Sequence, residues 1–280
     1  MTKAAERLNT SQPAVSAHIK TLEAELGVAL FLRTPKGMVL TPEGVELKEK
    51  VGTILEGVDG LKDAADRLKG GVRGDVRLGV NTDPRLLRLT SLCEELKHNY
   101  PGLSLNILET MSWDSDKELL SGNVDLAFTY TKPADKKIEI RHIDWIEMAI
   151  VAPLIWKERS ENATINDLTK LPWIWTSDHC PICELQKEIF SEAGCKPNKA
   201  VVVDQEAAIL KFVSEGVGLS IMPMLKAINV ADEYNLVPIR KLDKKLALFL
   251  IYLKRREQDQ KISILLNVIE RVWEAKTDDK

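Results

Sequence analysis

The sequence predicts an α/β protein in three parts: a small N-terminal domain of helices with a hairpin, one long helix, and a larger domain of alternating strands and helices. Three observations predict this order. A capped helix with a 3.6-residue apolar period lies near the N-terminus, and a long heptad pattern follows it. After Gly70 and Gly71, which break the helical pattern at a predicted hinge, strand-like and helix-like segments alternate.

The composition is typical of a globular protein that can bury more than one core. Of 280 residues, 44% are hydrophobic and 29% are charged. The formal net charge is −3, so contact with nucleic acid has to come from a local patch rather than from the whole surface. The sequence shows no signal-peptide pattern and no apolar run long enough to cross a bilayer, which predicts a cytoplasmic protein.

The stretch 10–31 predicts a helix with both ends marked. Ser11 can cap the first amides, Pro13 suits a first turn, and Gly27 can adopt the left-handed conformation that ends a helix. One face of this helix is apolar and should be buried against neighbouring helices. The positions on that face are Val15, Ile19, Leu22 and Leu26.

The opposite face of this helix predicts contact with DNA. Gln12, Ser16 and Lys20 are four residues apart and form a line of hydrogen-bonding side chains that fits a major groove. An ordinary amphipathic surface helix explains the same pattern, so the neighbouring segments are needed to distinguish the two interpretations. A short helix predicted at 3–8 and a turn at 9–10 precede the capped helix, which is the order of a helix-turn-helix.

A hairpin is predicted after this helix. Short strands at 30–32 and 38–40 flank a basic tip at 33–37, which forms a wing that can lie beside a phosphate backbone. The run AAERLNTSQPAVSAHIKTLEAELGVALFLRT, followed by LTPEG, resembles the winged helix-turn-helix of LysR-type transcriptional regulators. The resemblance implies that part of the capped helix approaches bases and that flanking residues steady the DNA backbone. The residues predicted to contact double-stranded DNA are Thr10, Ser11, Gln12, Pro13, Ser16, Lys20, Arg33, Lys36 and Thr41.

One departure from the family concerns the start of the chain. Members usually carry a further helix before the segment at 3–8, whereas this sequence begins at Met1 and Thr2. The sequence therefore predicts an incomplete winged helix-turn-helix, in which the apolar face of the capped helix lacks part of its packing partner. A truncated sequence, a misassigned start and a variant that binds DNA weakly are three explanations for this departure.

A long helix is predicted to begin at Pro42, with Thr41 as its cap, and to end near residue 68. Its apolar positions are spaced alternately four and three residues apart, which is the heptad signature of a coiled-coil seam. They are Leu47, Val51, Ile54, Val58, Leu61, Ala65 and Leu68. A homodimer or homotetramer formed through this helix explains the seam, as the resemblance also implies, whereas the alternative is a helix that lies on its own domain.

The remainder of the chain predicts an α/β domain with mostly parallel sheets covered on both faces. Strands are predicted at 76–80, 103–108, 124–128, 148–152, 173–175, 200–203, 218–222 and 246–253. Helices are predicted at 85–99, 114–121, 183–193, 205–215 and 261–275.

Two motifs in this region, SGNVDLAF at 121–128 and VSEGVGLSIMP at 213–223, resemble the effector domain of the same regulators. The resemblance implies the two-lobed fold of periplasmic solute-binding proteins. The predicted domains are therefore the winged helix-turn-helix at 1–41, the linker and dimerisation helix at 42–71, and the effector domain at 74–280. Within the effector domain, lobe I comprises 74–153 and 243–280, and lobe II comprises 154–242.

An effector pocket is predicted where the strand-end loops of the two lobes meet. The predicted effector-binding residues are Asn81, Thr82, Asp83, Thr110, Ser112, Thr129, Tyr130, Thr176, Ser177 and Gln205. Hydroxyl and amide groups beside helix N-termini favour a small carboxylate, whereas Asp83 and Asp178 favour an amine or an amino acid. Each serine or threonine can alternatively be a simple cap or turn residue.

The segment 179–183, His-Cys-Pro-Ile-Cys, lies at the mouth of this predicted pocket. Cys180 and Cys183 can be inert or pocket-lining thiols, or they can form a reversible disulfide if the helix N-terminus lowers the pKa of Cys183. A zinc site formed by these cysteines with His179 and Cys195 is the third interpretation. Four cysteines in a chain of this length are otherwise expected to be free thiols.

The sequence predicts binding rather than catalysis. It contains no glycine-rich phosphate loop, no HExxH and no GxSxG motif, and no cofactor is predicted. Two functions follow from these patterns. The first is a transcription regulator whose DNA affinity responds to a small molecule. The alternative is a solute-binding or sensor module with impaired DNA binding, which oxidation of Cys180 and Cys183 could control.

Overall fold

A computed structural model describes residues 2–35, 37–68 and 72–274 of the chain. These residues form two compact units, divided after residue 69. The predicted wing-tip residue Lys36 and the predicted glycine hinge at Gly70 and Gly71 lie outside the described residues.

The first unit contains the predicted helix-turn-helix and hairpin. Its elements are α1 (Thr2–Arg7), α2 (Gln12–Leu26), β1 (Phe31–Thr34), β2 (Gly37–Leu40) and α3 (Pro42–Leu68). A turn with Asn9 in the left-handed region, at φ 48°, connects α1 to α2. The hairpin is antiparallel, with Phe31 opposite Leu40 and Thr34 opposite Gly37, so the residues predicted at the ends of the tip lie in the strands. The predicted winged helix-turn-helix fold is confirmed.

The apolar face of α2 is covered only in part. Val15 is buried and Ile19 is half-buried, but Leu22 and Leu26 are 40% and 47% exposed. The prediction that the whole face is buried is therefore wrong for its last two positions. The helix α1 has six residues and is less than two turns long. Among the described residues of this unit, burial of the apolar face of α2 therefore ends near Ile19.

The second unit contains the alternating strands and helices. Its strands are β3 (Gly74–Val80), β4 (Leu103–Glu109), β5 (Leu126–Thr129), β6 (Ile138–Pro153), β7 (Trp173–Trp175), β8 (Lys199–Val202), β9 (Ser220–Pro223) and β10 (Leu236–Leu253). Its helices are α4 (Leu89–Asn99), α5 (Ser115–Leu120), α6 (Lys157–Ser160), α7 (Ile165–Leu168), α8 (Pro181–Glu192), α9 (Glu206–Ser214), α10 (Met224–Asn229) and α11 (Gln260–Glu274). Short 3-10 helices follow β6 and β10.

The main sheet is mixed, so the prediction of mostly parallel sheets is wrong for it. The strand order is β4-β3-β5-β10-β6-β9. Only the pairs of β3 with β4 and with β5 are parallel, whereas β10 pairs antiparallel with β5 and β6, and β6 pairs antiparallel with β9. The small second sheet of β7 and β8 is parallel. The antiparallel part is formed by β6 and β10 with their neighbours, and both strands are far longer than the predicted strands at 148–152 and 246–253.

The two long strands pair with each other in two parts. The start of β6 pairs with the end of β10 beside β5, whereas the end of β6 pairs with the start of β10 and with β9. A register shift between Lys241 and Lys245 of β10, opposite Ala149 and Glu147 of β6, separates these two parts. The predicted lobe boundaries lie at the end of β6, after residue 153, and within β10, at residue 243, and the division into two lobes stays a prediction.

The core of the second unit surrounds the central strands of the main sheet. Leu78, Phe128 and Tyr252 are among its largest fully buried side chains, and α4 and α11 pack against it. Beside the small sheet, Trp173 and Trp175 of β7 both contact the ring of Phe190, with centroids 5.3 and 5.4 Å apart. No helix in the described ranges is long and apolar enough to span a membrane.

Candidate ligand pocket and DNA-binding surface

A cavity of about 340 Å³ lies in the second unit, at the carboxyl ends of β3, β4 and β5. This is the position that the strand-end rule predicts for a ligand in an α/β fold. Seven of the predicted effector residues line it, namely Asn81, Thr82, Asp83, Thr110, Ser112, Tyr130 and Thr176. The strand-end prediction and the observed cavity therefore agree for most of the loops from the first lobe.

Three predicted residues do not line the cavity. Thr129 is fully buried, and its hydroxyl donates a hydrogen bond to the carbonyl of Ser112 at 3.0 Å. Ser177 donates its amide to Asp204 Oδ1 at 2.8 Å, and Gln205 is the N-cap of α9. In each case a sequence neighbour lines the cavity instead: Tyr130, Thr176, and both Asp204 and Glu206.

The hydroxyl of Ser112 links the three strand-end loops of the first lobe. It accepts hydrogen bonds from Asn81 Nδ2 at 2.7 Å and from the amide of Tyr130 at 3.3 Å. The bond from Nδ2 fixes the amide plane of Asn81. Asn81 Oδ1 is one of the buried side-chain atoms that have no hydrogen-bond partner among the described residues, whereas the Tyr130 hydroxyl lies beside the hydroxyl of Thr82, which lowers its pKa against the larger effect of burial. Buried polar atoms are normally paired, so the open acceptor at Asn81 Oδ1 favours a ligand that donates a hydrogen bond.

A buried lysine at the cavity was missed by the sequence analysis. Lys226 of α10 is 4% exposed and forms an ion pair with Glu206 at the start of α9. Burial lowers the pKa of Lys226 to about 8, while the charge of Asp83 opposes that shift. The signal was present, since Lys226 follows the predicted strand at 218–222 and the strand-end rule applies to that strand as well.

Acidic and apolar groups complete the lining. Glu109, Asp204 and Glu206 line the cavity together with Asp83, whereas Asp178 does not. Asp178 is exposed and binds Lys187 at 3.1 Å, so its predicted influence on the ligand is not supported. The apolar wall is formed by Met111, Trp113, Ile182, Ile209, Ile221 and Met222.

The thiols of the segment 179–183 do not have the properties of a reactive pair. Cys180 is half-buried and lines the cavity, and Cys183 is buried in the first turn of α8. Burial raises the pKa of both thiols, which contradicts the predicted lowering by the helix N-terminus. Cys195 is exposed, and within the described ranges no group of three or more His, Cys, Asp or Glu side chains is arranged to hold a metal ion. The interpretation as inert or pocket-lining thiols fits best, with Cys180 lining the cavity and Cys183 buried outside it.

The outward face of α2 presents polar groups to solvent. Gln12, Pro13 and Lys20 are exposed and Ser16 is half-buried. Ser11 caps the helix by accepting a hydrogen bond from the amide of Ala14 at 3.3 Å, and Thr10 precedes it on the surface. Gly27 ends the helix at φ 70°. The predicted helix and its caps are therefore in place.

The hairpin is attached to α2 by one carboxylate. Glu23 Oε1 accepts hydrogen bonds from the amides of Leu30 at 2.7 Å and Phe31 at 3.1 Å. Arg33 of β1 is exposed. Thr41, in contrast, is buried, with its hydroxyl donating to the carbonyl of Ala29 at 2.7 Å and accepting from the amide of Gly44 at 2.8 Å. This occupied hydroxyl supports the start of α3, and we remove Thr41 from the predicted DNA contacts.

A winged helix-turn-helix and a separate α/β domain with a strand-end pocket together define a DNA-binding regulator with a ligand-binding domain. Sequence models of two domains match the chain. The model described as "LysR substrate binding domain" matches residues 69–274, and "Bacterial regulatory helix-turn-helix protein, lysR family" matches residues 1–45. The chain belongs to the LysR family and is a LysR-type transcriptional regulator, which favours this function over the alternative of a sensor module without DNA binding.

Individual proteins show the same likeness. The chain is 30% identical over 226 residues to the HTH-type transcriptional regulator CysB of Haemophilus influenzae, covering 79% of this chain and 70% of CysB. It resembles the structure of full-length CbnR complexed with target DNA, with a TM-score of 0.62, 19% identity, and coverage of 97% of this chain and 93% of CbnR. It also resembles the effector-binding domain of QuiR in complex with shikimate, with a TM-score of 0.61, 18% identity, and coverage of 73% and 99%. The two structures support the fold.

Proposed function

We infer that this LysR-type regulator reads its operator with the exposed face of α2 and binds its effector in the strand-end cavity of the second unit. The observation that carries this proposal is the cavity itself, which joins an unpaired acceptor to a buried ammonium in a family with an effector-binding domain. The protein acts by binding and not by turnover, and it acts on DNA in the cytoplasm.

The proposed DNA contacts divide into two classes. Gln12 and Ser16 lie in the first two turns of α2, where an amide and a hydroxyl can read base edges in a major groove, and Pro13 is exposed next to Gln12. The other proposed residues contact the phosphate backbone and so position the helix in the groove. They are Thr10, Ser11, Lys20 and Arg33, together with Lys36, which rests on the sequence alone.

The long helix α3 is the proposed dimer contact. Four seam positions, Val51, Ile54, Val58 and Leu61, are between 42% and 72% exposed in the single chain. Burying a row of exposed aliphatic side chains at heptad spacing stabilises an assembly by about 25 cal/mol for each Å² of apolar surface removed from water. A second copy of the same helix offers a matching seam and removes this surface from water. The seam residues Ala65 and Leu68 have side chains outside the description.

A DNA-binding experiment tests the proposal. The full chain is used to select duplexes from a random library, and affinity for the selected operator is measured by mobility shift at several salt concentrations. We expect Gln12→Ala to weaken the selected duplex and to relax its base preference, because an amide pairs specifically with base edges. Arg33→Ala should weaken all duplexes alike and lower the slope of log affinity against log salt by about 1.

The control is Lys211→Met, which changes an exposed lysine of α9 that pairs with Glu215. This variant should bind the operator like the wild type. A Gln12→Ala variant with full base discrimination would show that α2 is not the reading helix. Failure of the wild-type chain to select any duplex would refute the DNA-binding part of the proposal, while leaving ligand binding in the cavity to its own test.

A further inference from the structure

The charges around the cavity limit the chemistry of its ligand. Lys226 is the one cation among the described residues that line it. Four carboxylates line it as well, so the lining has a formal net charge of −3. They belong to Asp83, Glu109, Asp204 and Glu206. A ligand that is only anionic meets this excess of negative charge, and a ligand that is only cationic leaves the buried ammonium without a new partner.

The buried ammonium requires an anion. A charged lysine at 4% exposure is costly unless it is paired, and Glu206 provides the pair in this structure. The side chain of Glu206 is 43% exposed, so its carboxylate can turn into water when another carboxylate takes its place at Lys226 Nζ. Lys226 therefore defines the anion end of the cavity.

The opposite requirement comes from the loop after β3. Asn81 Oδ1 is a buried acceptor that needs a donor, since its Nδ2 already donates to Ser112. Asp83 lies two residues further along the same loop and adds a negative charge. The negative charge of Asp83 raises the pKa of Lys226, although burial lowers it by more. The two side chains are therefore close enough to interact electrostatically.

We propose that the cavity binds an α-amino acid, with its carboxylate on Lys226 and its ammonium between Asn81 and Asp83. A zwitterion satisfies both ends at once and adds no net charge to an acidic site. The side chain of the amino acid packs on the apolar wall that contains Ile182, Ile209 and Ile221, and a cavity of about 340 Å³ holds one such molecule. This inference rests on the proposed function of the cavity as the effector site.

Calorimetry on the full chain tests the inference with the twenty common L-amino acids as probes. The tightest binder is then compared with two analogues, one without the ammonium and one without the carboxylate; for L-leucine these are 4-methylpentanoate and 3-methylbutylamine. We expect each analogue to bind at least about tenfold more weakly than the amino acid, because each loses one charge-assisted hydrogen bond.

Two variants assign the ends of the ligand. The Lys226→Met variant should bind the amino acid and the amine analogue with similar affinity. The Asp83→Asn variant should show a smaller difference in affinity between the amino acid and the acid analogue. Lys211→Met on the exposed side of α9 should keep wild-type selectivity. The comparison of two ligands within each folded variant separates a lost contact from a general loss of affinity.

The inference is overturned if no L-amino acid binds, if either one-charge analogue binds as well as the amino acid, or if Lys226→Met keeps the preference for the carboxylate. These results leave the regulator function standing, because operator selection and binding are measured without the ligand. A chain that binds an amino acid but selects no duplex gives the reverse result and separates the two proposals.

Discussion

At the scale of single residues, the buried carboxylate of Asp125 forms ion pairs with Arg77 and Arg256. Its Oδ2 accepts from the amide of Arg77 at 2.8 Å and from Nε at 3.1 Å, Oδ1 accepts from Nη2 at 2.8 Å, and Arg256 binds Oδ1 as well. Burial alone would raise the pKa of Asp125, but the bonds from Arg77 and the charge of Arg256 outweigh it and lower the pKa below 3.8.

We expect Asp125→Asn to lower the free energy of unfolding by about 3 kcal/mol at neutral pH, because two arginines lose their buried counter-charge. A carboxyl whose folded pKa is depressed stabilises the fold above its unfolded pKa and loses that contribution as pH falls through the folded value. The difference from wild type should therefore shrink in acid, as measured by urea unfolding at stepped pH. Asp114→Asn, which breaks an exposed pair with Lys117, should change stability far less, because solvent screens that pair, and serves as the control.

The sequence predicted pocket residues well where it predicted strand ends, and poorly elsewhere. Asn81, Thr110 and Tyr130 follow strands that the pattern identified, and all three line the cavity. Lys226 was missed because a lysine in a short segment is normally exposed to solvent, although it follows a predicted strand end, and its burial is evident only from the folded structure.

At the scale of elements, the junction between the hairpin and α3 depends on one glycine. A Cβ added to Gly44 would lie 2.2 Å from the carbonyl oxygen of Leu30, which itself accepts the amide of Thr41 at 3.0 Å. Gly44→Ala should therefore force the backbones apart at a cost of about 2 to 3 kcal/mol. We expect faster hydrogen exchange in peptides that span the hairpin and the first turn of α3.

The matched control is Gly57→Ala in the same helix, where an added Cβ meets nothing within 4 Å. Alanine is favoured over glycine inside a helix by about 1 kcal/mol, so this variant should slow exchange in α3. Equal protection of the hairpin in both variants would mean that the close approach of Gly44 to Leu30 does not determine the stability of the junction.

The seam of α3 leads to a prediction about assembly. Ile54→Lys places a charge in the middle of the exposed heptad row and should shift the chain from dimer to monomer in sedimentation experiments. Lys50→Ala on a charged flank of the helix should leave the dimer intact. A dimer that tolerates Ile54→Lys would contradict the proposed contact and favour a helix that is covered in another way.

Element boundaries show which patterns were informative. The bounds of α3 and β7 were predicted from sequence because a long heptad and a short tryptophan-rich strand leave few alternatives. The first half of β6 was missed although Ile138, Ile140 and His142 occupy alternate positions. Its pairing partner lies roughly a hundred residues away in β10, and no local pattern reveals such a distant antiparallel pairing.

At the scale of the whole molecule, the two units share one chain and one regulatory function. Binding of a ligand to one site can change the affinity of another only through a difference in free energy between states, and that coupling is reciprocal. If the cavity is the effector site, a ligand held there must change operator affinity. The sign of the change depends on which state the ligand prefers.

We therefore expect the amino acid that binds most tightly to change operator affinity by about 5-fold or more in a mobility shift, the lower range of measured allosteric couplings. Lys226→Met should abolish this change at the same ligand concentration while keeping the affinity for DNA measured without ligand, because Lys226 lies in the cavity and not on α2. Reciprocity supplies the internal check: the operator duplex should change the ligand dissociation constant by the same factor in calorimetry. A ligand effect on DNA that persists in Lys226→Met at ligand concentrations where its cavity is unoccupied would assign the response to a different site.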